Sequence, residues 1–179
     1  MSPLVGPVGG DVEVVLALGA NLGDREGTLR AALAELDETE GVAVQGVSPL
    51  VETDPVGGPE QPDYLNLVAT ARTSLGPFEL LDVCHEVERQ HGREREVRWG
   101  ARTLDVDVIA YGRPGSTSEV VSADPALTLP HPRAHERAFV LSPWSQLVPD
   151  AQLRLPDGSV RPVADLLAEA ADRDGVRSC

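Results

Sequence analysis

Asp105 and Asp107 are the residues of this chain best suited to chemistry. They stand two apart in Leu104-Asp-Val-Asp-Val-Ile-Ala-Tyr111, an alternating run rich in β-branched residues that predicts a strand. Side chains at i and i+2 of a strand share a face, so the two carboxylates stand together while Leu104, Val106 and Val108 turn toward a core. Two adjacent carboxylates repel unless a cation lies between them, and a hard divalent ion such as Mg²⁺ meets that need. The stretch leading into them, Arg93-Glu-Arg-Glu-Val-Arg-Trp-Gly-Ala-Arg102, holds four arginines and a tryptophan. Mg²⁺ bridging phosphate oxygens while guanidinium forks hold the others is the pattern of polyphosphate chemistry. A bare Asp-x-Asp is more often a solvated pair at a strand edge; the neighbouring arginines and Trp99 shift the balance toward a phosphate site.

The elements that must position this pair follow from periodicity and punctuation. Val12–Leu18 predicts a first strand, and Gly19-Ala-Asn-Leu-Gly23 a turn. Asp24 then caps a helix carrying Leu29, Ala32, Leu33 and Leu36, and Gly41 ends it. Val42–Val51 predicts a second strand running into Glu52–Pro62, a loop with three prolines and two glycines, long enough to suggest a lid or binding loop. Tyr64–Thr73 predicts a third strand. A helix opens at Pro77, carries Leu80, Cys84, Val87 and His91, and stops at Gly92; the Asp105–Tyr111 strand follows. Beyond it lie a helix around Ala134–Gln146, a small hairpin spanning 153–160 and a helix over Val163–Ala170. The order strand, helix, strand, strand, helix, strand implies an α+β fold: a ferredoxin-like βαββαβ sandwich with a C-terminal extension. Residues 1–11 are expected to form a loose leader, 12–170 a single domain, and 171–179 a frayed, flexible tail.

Other segments supply groups that could converge on the aspartates. Gly19-Ala-Asn-Leu22 offers a glycine and Asn21. Gln61-Pro-Asp-Tyr-Leu-Asn66 places Tyr64 and Asn66 on one strand face, where a carboxamide can meet the amino-oxo edge of a pterin or purine. Leu129-Pro-His-Pro-Arg-Ala-His-Glu-Arg137 gathers His131, Arg133, His135 and Arg137, with Phe139 two residues on.

Taken together, these motifs resemble the 6-hydroxymethyl-7,8-dihydropterin pyrophosphokinases of folate biosynthesis. The resemblance spans roughly residues 12–162 and rests chiefly on Arg98-Trp-Gly-x-Arg-Thr-Leu-Asp-x-Asp107. It implies transfer of a pyrophosphoryl group from ATP to the pterin hydroxymethyl, releasing AMP, with two Mg²⁺ ions. By position, Asp105 and Asp107 hold the metals and, with Arg93, Arg95 and Arg102, form the catalytic set. Glu88, Arg93, Arg95, Arg98, Trp99, Arg102, Val108, Thr128, His131 and Arg137 meet ATP. Thr53, Asp54, Val56, Tyr64, Asn66, Trp99 and Phe139 line the pterin pocket. Residues 93–101 become a mobile lid. Ala20 and Pro132 depart from the family pattern, where serine and an aromatic residue are frequent. A regulatory ligand-binding module of the same fold is the alternative, but it has no need of an arginine loop abutting paired aspartates.

Bulk properties agree. A length of 179 residues suits one domain with a real core. The formal charge of -14 argues against a nucleic-acid surface, yet residues 89–102 carry five arginines against Glu94 and Glu96. All fifteen basic residues are arginine, which excludes a lysine nucleophile, a Schiff base and a P-loop lysine. Two cysteines make no disulfide framework, and Cys84 falls in a helical pattern as a buried thiol. No apolar run suggests a membrane span or a signal peptide. The expectation is a cytoplasmic monomer acting on ATP and a pterin, with no nucleic-acid or membrane partner.

Overall fold

The computed structural model describes residues 11–54, 63–91 and 104–179. The main sheet is antiparallel and has six strands. Its long members are β1 (Val12–Ala20), β4 (Tyr64–Thr73) and β5 (Asp105–Tyr111); β2 (Val42–Val47), β3 (Val51–Thr53) and β10 (Val176–Ser178) complete it. The order runs β10-β3-β4-β1-β5, with β2 also paired to β4, so β5 lies at one edge. The strand expected over 42–51 is thus two strands on the same neighbour. Pro49 has no N–H for a ladder, and Ser48 closes the gap by accepting the Val68 N–H through its hydroxyl at 2.9 Å.

Alternation divides the sheet into two apolar faces. Leu16, Leu18, Leu67, Val106 and Val108 pack beneath α1 (Arg25–Glu38) and α2 (Pro77–Gln90). Each helix starts where its chemistry places it. The Asp24 carboxylate accepts the Gly27 N–H at 3.0 Å, and the Glu79 carboxylate accepts the Gly76 N–H at 2.9 Å, ahead of Pro77. Leu29, Ala32 and Leu36 are the buried stripe of α1; Leu80, Cys84, Val87 and Glu88 are that of α2. At the end of α2, His91 pairs with Glu35 of α1.

The opposite face is covered as well. Val15, Val68 and Ile109 pack against α3 (Ala138–Leu147) and α4 (Val163–Glu169). The helix expected over 134–146 divides. Ala134–Glu136 is a 3-10 turn, Arg137 breaks it with ψ at 106°, and α3 begins at Ala138, whose N–H reaches the Asp172 carboxylate at 3.1 Å. Of two small hairpins, β8 (Gln152–Arg154) with β9 (Val160–Pro162) joins this layer through Leu153, whereas β6 (Ser122–Asp124) with β7 (Leu127–Leu129) joins the α2 side through Leu127 and Leu129.

The stretch expected to fray after α4 instead makes a 3-10 turn at Arg173–Gly175 and then β10, which pairs with β3. Alternating Val-Arg-Ser can satisfy its backbone on an otherwise open sheet edge, and that outweighs its charge. No helix among the described residues is long and apolar enough to cross a membrane.

Candidate active site

Asp105 and Asp107 stand on β5 as the period-two pattern requires: both are half-buried, while Leu104, Val106 and Val108 between and beside them are buried. Register extends this face across the sheet. Asp105 pairs with Gly19 of β1, Gly19 with Asn66 of β4, and Asn66 with Val51 of β3. Strands lie about 4.8 Å apart, so the Asp105 and Asn66 backbones are separated by about 10 Å across Gly19. Asn66 is 6% exposed, and its Nδ2 donates to Thr53 Oγ1 at 3.0 Å. Tyr64 lies two residues before it, opposite Thr53. Gly19 and Ala20 belong to β1 and not to the expected turn. A Cβ at position 19 would lie 2.6 Å from Asn66 Oδ1 and 3.7 Å from the Tyr64 ring, so the glycine provides the space the carboxamide occupies.

Beyond the free edge of β5 lies a cleft of about 270 Å³ bounded by α2 and the β6–β7 hairpin, with Glu88, Asp107, Val108, Thr128 and His131 in its lining. The strand edge is held along its length, with the Val120 N–H donating to the Tyr111 carbonyl at 2.9 Å at its far end. Glu88 Oε2 accepts the buried Val106 N–H at 2.9 Å, and the His131 N–H donates to the Ile109 carbonyl at 2.8 Å. Ile109 is an extra residue in β5, between the Leu16–Val108 and Val15–Ala110 pairs. Because alternate residues of a strand point their N–H groups to the same edge, the Val108 N–H faces the cleft as the Val106 N–H faces Glu88.

The electrostatics are uneven. His131 is pushed down to about 4, first by burial and then by the Arg137 and Arg133 charges, so its ring is neutral at pH 7. The Arg133 N–H reaches His131 Nδ1 at 3.2 Å, which leaves the ring proton on Nε2. Burial and Arg133 lower the Arg137 guanidinium while the Asp107 charge raises it, and that guanidinium sits 5.5 Å from the Phe139 ring centroid. One Phe139 face is therefore engaged by a cation. Burial, with Glu88 and Asp107 nearby, raises the Cys84 thiol to about 12, as expected of an inert core thiol.

Of the residues singled out from sequence, the structure groups Thr53, Tyr64, Asn66, Asp105 and Asp107 on one sheet face, and Glu88, Val108, Thr128 and His131 around the cleft. Asp54 is exposed at the end of β3 and pairs with Arg177 at 3.2 Å. Val56, Arg93, Arg95, Arg98, Trp99 and Arg102, with the lid expected over 93–101, lie outside the described residues. Sequence reasoning missed the packing role of Gly19 and the whole of Arg177; only the alternation of Val176-Arg-Ser178 hinted at a strand there.

The family model for 7,8-dihydro-6-hydroxymethylpterin-pyrophosphokinase (HPPK) matches residues 15–149, three quarters of the chain and nearly every residue placed above. The chain belongs to the HPPK family. It is 48% identical over 170 residues to the 2-amino-4-hydroxy-6-hydroxymethyldihydropteridine pyrophosphokinase of Mycobacterium tuberculosis, covering 92% of this chain and 88% of that one. It is 46% identical over 132 residues to the enzyme of the same name from Bacillus subtilis, covering 74% of this chain and 75% of that one. Among solved structures, wild-type Plasmodium falciparum HPPK-DHPS superposes with a TM-score of 0.62 at 13% identity. That match covers 89% of this chain but 44% of the longer one, and it speaks to the fold alone. The HPPK assignment thus rests on the family model and on the bacterial relatives.

Two carboxylates on one strand face suit Mg²⁺, which keeps several waters and takes one or two protein carboxylates plus substrate phosphates. Among the described residues no third His, Cys, Asp or Glu joins them in a metal-holding group. The donor set therefore fits an ion whose remaining ligands come from a nucleotide.

Proposed function

We propose that this chain transfers the pyrophosphoryl group of ATP to the hydroxymethyl oxygen of 6-hydroxymethyl-7,8-dihydropterin, giving AMP and the pterin diphosphate for folate biosynthesis. The observation that carries the reading is Asp107, which shares the Asn66 sheet face and also lines the cleft beyond β5. A metal-carboxylate pair thus lies between a buried carboxamide and a site suited to a nucleotide.

Each side has recognition chemistry to match. Asn66 keeps Oδ1 and one N–H for the amino-oxo edge of a pterin, with Tyr64 and Phe139 as aromatic walls; Thr53, Asp54, Val56 and Trp99 complete that side of the reading. The Val108 N–H and the Thr128 hydroxyl offer a donor and an acceptor to the edge of an adenine. His131, neutral and protonated at Nε2, donates to a phosphate oxygen, and Arg137 adds a permanent charge. Glu88 keeps the β5 edge in place, and Arg93, Arg95, Arg98 and Arg102 are assigned to the phosphates. Two Mg²⁺ ions held at Asp105 and Asp107 would neutralise the transferring group and orient ATP against the pterin hydroxyl. The protein supplies no nucleophile. The pterin hydroxyl oxygen bonds to the β-phosphorus and gives up its proton to solvent, the bond from that phosphorus to the α–β bridging oxygen breaks, and AMP leaves with that oxygen, so positioning and charge neutralisation carry the reaction.

The strand order and the two helices on one face support the ferredoxin-like description, and the catalytic domain expected over 12–170 is taken to extend through β10. The reading further takes the protein as a cytoplasmic monomer with two small-molecule substrates. The test is incubation with ATP, Mg²⁺ and the dihydropterin, followed by ³¹P NMR. Equimolar AMP and pterin diphosphate is the expected result; ADP as the nucleotide product would overturn it.

A further inference from the structure

Arg177 lies on β10, at the opposite edge of the sheet from β5, yet one residue from the position that pairs with Thr53. β10 pairs Val176 with Thr53 and Ser178 with Val51, and β3 in turn pairs Thr53 with Tyr64 and Val51 with Asn66. Thr53 Oγ1 is the acceptor that fixes the Asn66 carboxamide, at 3.0 Å. Where β3 ends and β4 begins, the Arg177 guanidinium binds both flanking carboxylates, Asp54 at 3.2 Å and Asp63 at 2.9 Å. Arg25 braces the same junction from α1, donating to Glu52 at 2.8 Å and to the Asp63 carbonyl at 2.9 Å.

β3 is three residues long, and without β10 it would be an edge strand paired only to β4. Three carboxylates, Glu52, Asp54 and Asp63, meet at this junction. Without Arg177, the like charges of Asp54 and Asp63 push the two strand ends apart just where Thr53 and Tyr64 must stay in register.

We infer that Arg177, presented by β10, is a positioning residue for the pterin side of the site: it holds the β3–β4 junction closed, keeps Thr53 in register and so fixes the donor-acceptor orientation of Asn66. The inference rests on the reading that Asn66 meets the pterin. Arg177 touches no substrate and acts through Thr53. Its influence is therefore directional, reaching the pterin and not the nucleotide cleft on the far edge of the sheet. The ion pairs are individually weak, since the Arg177, Asp54 and Asp63 side chains are 42%, 71% and 40% exposed. Their effect comes from one guanidinium nitrogen, Nη2, that meets both strand ends while Nη1 reaches back to the Gly175 carbonyl at 3.4 Å, an anchoring that a lysine point charge reproduces only in part.

The experiment compares the full chain with Arg177→Ala, Arg177→Lys, a deletion of 176–179, Asn66→Ala, and Arg161→Ala as a control that breaks a similarly exposed ion pair with Glu169. Calorimetry gives the Kd of 6-hydroxymethyl-7,8-dihydropterin, and steady-state kinetics give KM for each substrate. Arg177→Ala raises the pterin Kd about three- to fivefold, the range of a lost exposed pair, with the KM for ATP within about twofold of wild type. The lysine variant recovers part of the loss, the deletion raises the pterin Kd about tenfold, and Arg161→Ala changes neither substrate. An unchanged pterin Kd in Arg177→Ala, with Asn66→Ala clearly weakened, overturns this inference and leaves the pterin reading standing. An unchanged pterin Kd in Asn66→Ala overturns the reading itself and the inference with it. Equal losses for pterin and ATP in Arg177→Ala also overturn the inference, because they mark general destabilisation. Should the deletion fail to fold, the point variants decide.

Discussion

Gly19 of β1 lies so close beneath Asn66 of β4 that a single added carbon at position 19 would stand 2.6 Å from the Asn66 carboxamide oxygen. The clash is with a side chain, so the chain can still fold, but only by turning Asn66 away from Thr53. Gly19→Ala therefore breaks the Asn66–Thr53 hydrogen bond and removes the polar edge offered to the pterin. Two hydrogen bonds at about 1 kcal/mol each predict a pterin Kd raised tenfold or more, with ATP affinity largely kept. Calorimetry with each substrate checks this, and unchanged pterin binding would show that Asn66 has room the geometry denies it.

Asp105 and Asp107 are the sharpest test of the chemistry. Asparagine keeps the shape and one carbonyl oxygen of each side chain and removes only the charge that a divalent ion requires. Losing one well-placed electrostatic contact costs about 10²–10³ in rate, and a metal ligand should cost no less. Asp105→Asn and Asp107→Asn are each expected to lose that much turnover at saturating Mg²⁺ and ATP. Near-normal turnover in either variant would reduce β5 to a structural strand.

His131 gives the site a pH signature. Its folded value of about 4 lies below the ordinary 6.5, so the unfolded chain binds this proton more readily than the folded one. The stabilising contribution is complete above about pH 6.5 and is lost as the pH falls toward 4. Wild-type protein should lose urea resistance over that window more steeply than His131→Asn. In NMR, the His131 ring of the ligand-free chain should titrate near 4, and the midpoint should move upward when a triphosphate binds beside it. A ligand-free midpoint at 6.5 would contradict the burial and the two arginine charges that hold the ring neutral.

Several features were legible because they are local. Asp24 ahead of a helical stripe, Pro77 at a first turn, and Asp105 and Asp107 alternating with buried Leu104, Val106 and Val108 each need only a few residues of context. Glu88, Thr128 and His131 follow by position from the family resemblance and meet at one cleft, though nothing in their spacing shows that the α2 carboxylate reaches the Val106 N–H. The break at Ser48-Pro49, the split at Arg137 and the β6–β7 hairpin fell below what periodicity resolves, because each depends on which backbone groups find partners elsewhere.

By itself the sequence determined the two periodicities that build the sheet and its helices, the placement of two carboxylates on one strand face, and the arginine-rich stretch leading into them. Those properties are set by spacing along the chain. Only the tertiary structure decided that Gly19 serves Asn66, that Ile109 is an extra residue whose carbonyl anchors His131, and that Arg177 spans 114 residues of sequence to reach Asp63. Such pairings are chosen by which strand edge and which charges remain unmet once the rest has folded, and that choice exists only in three dimensions.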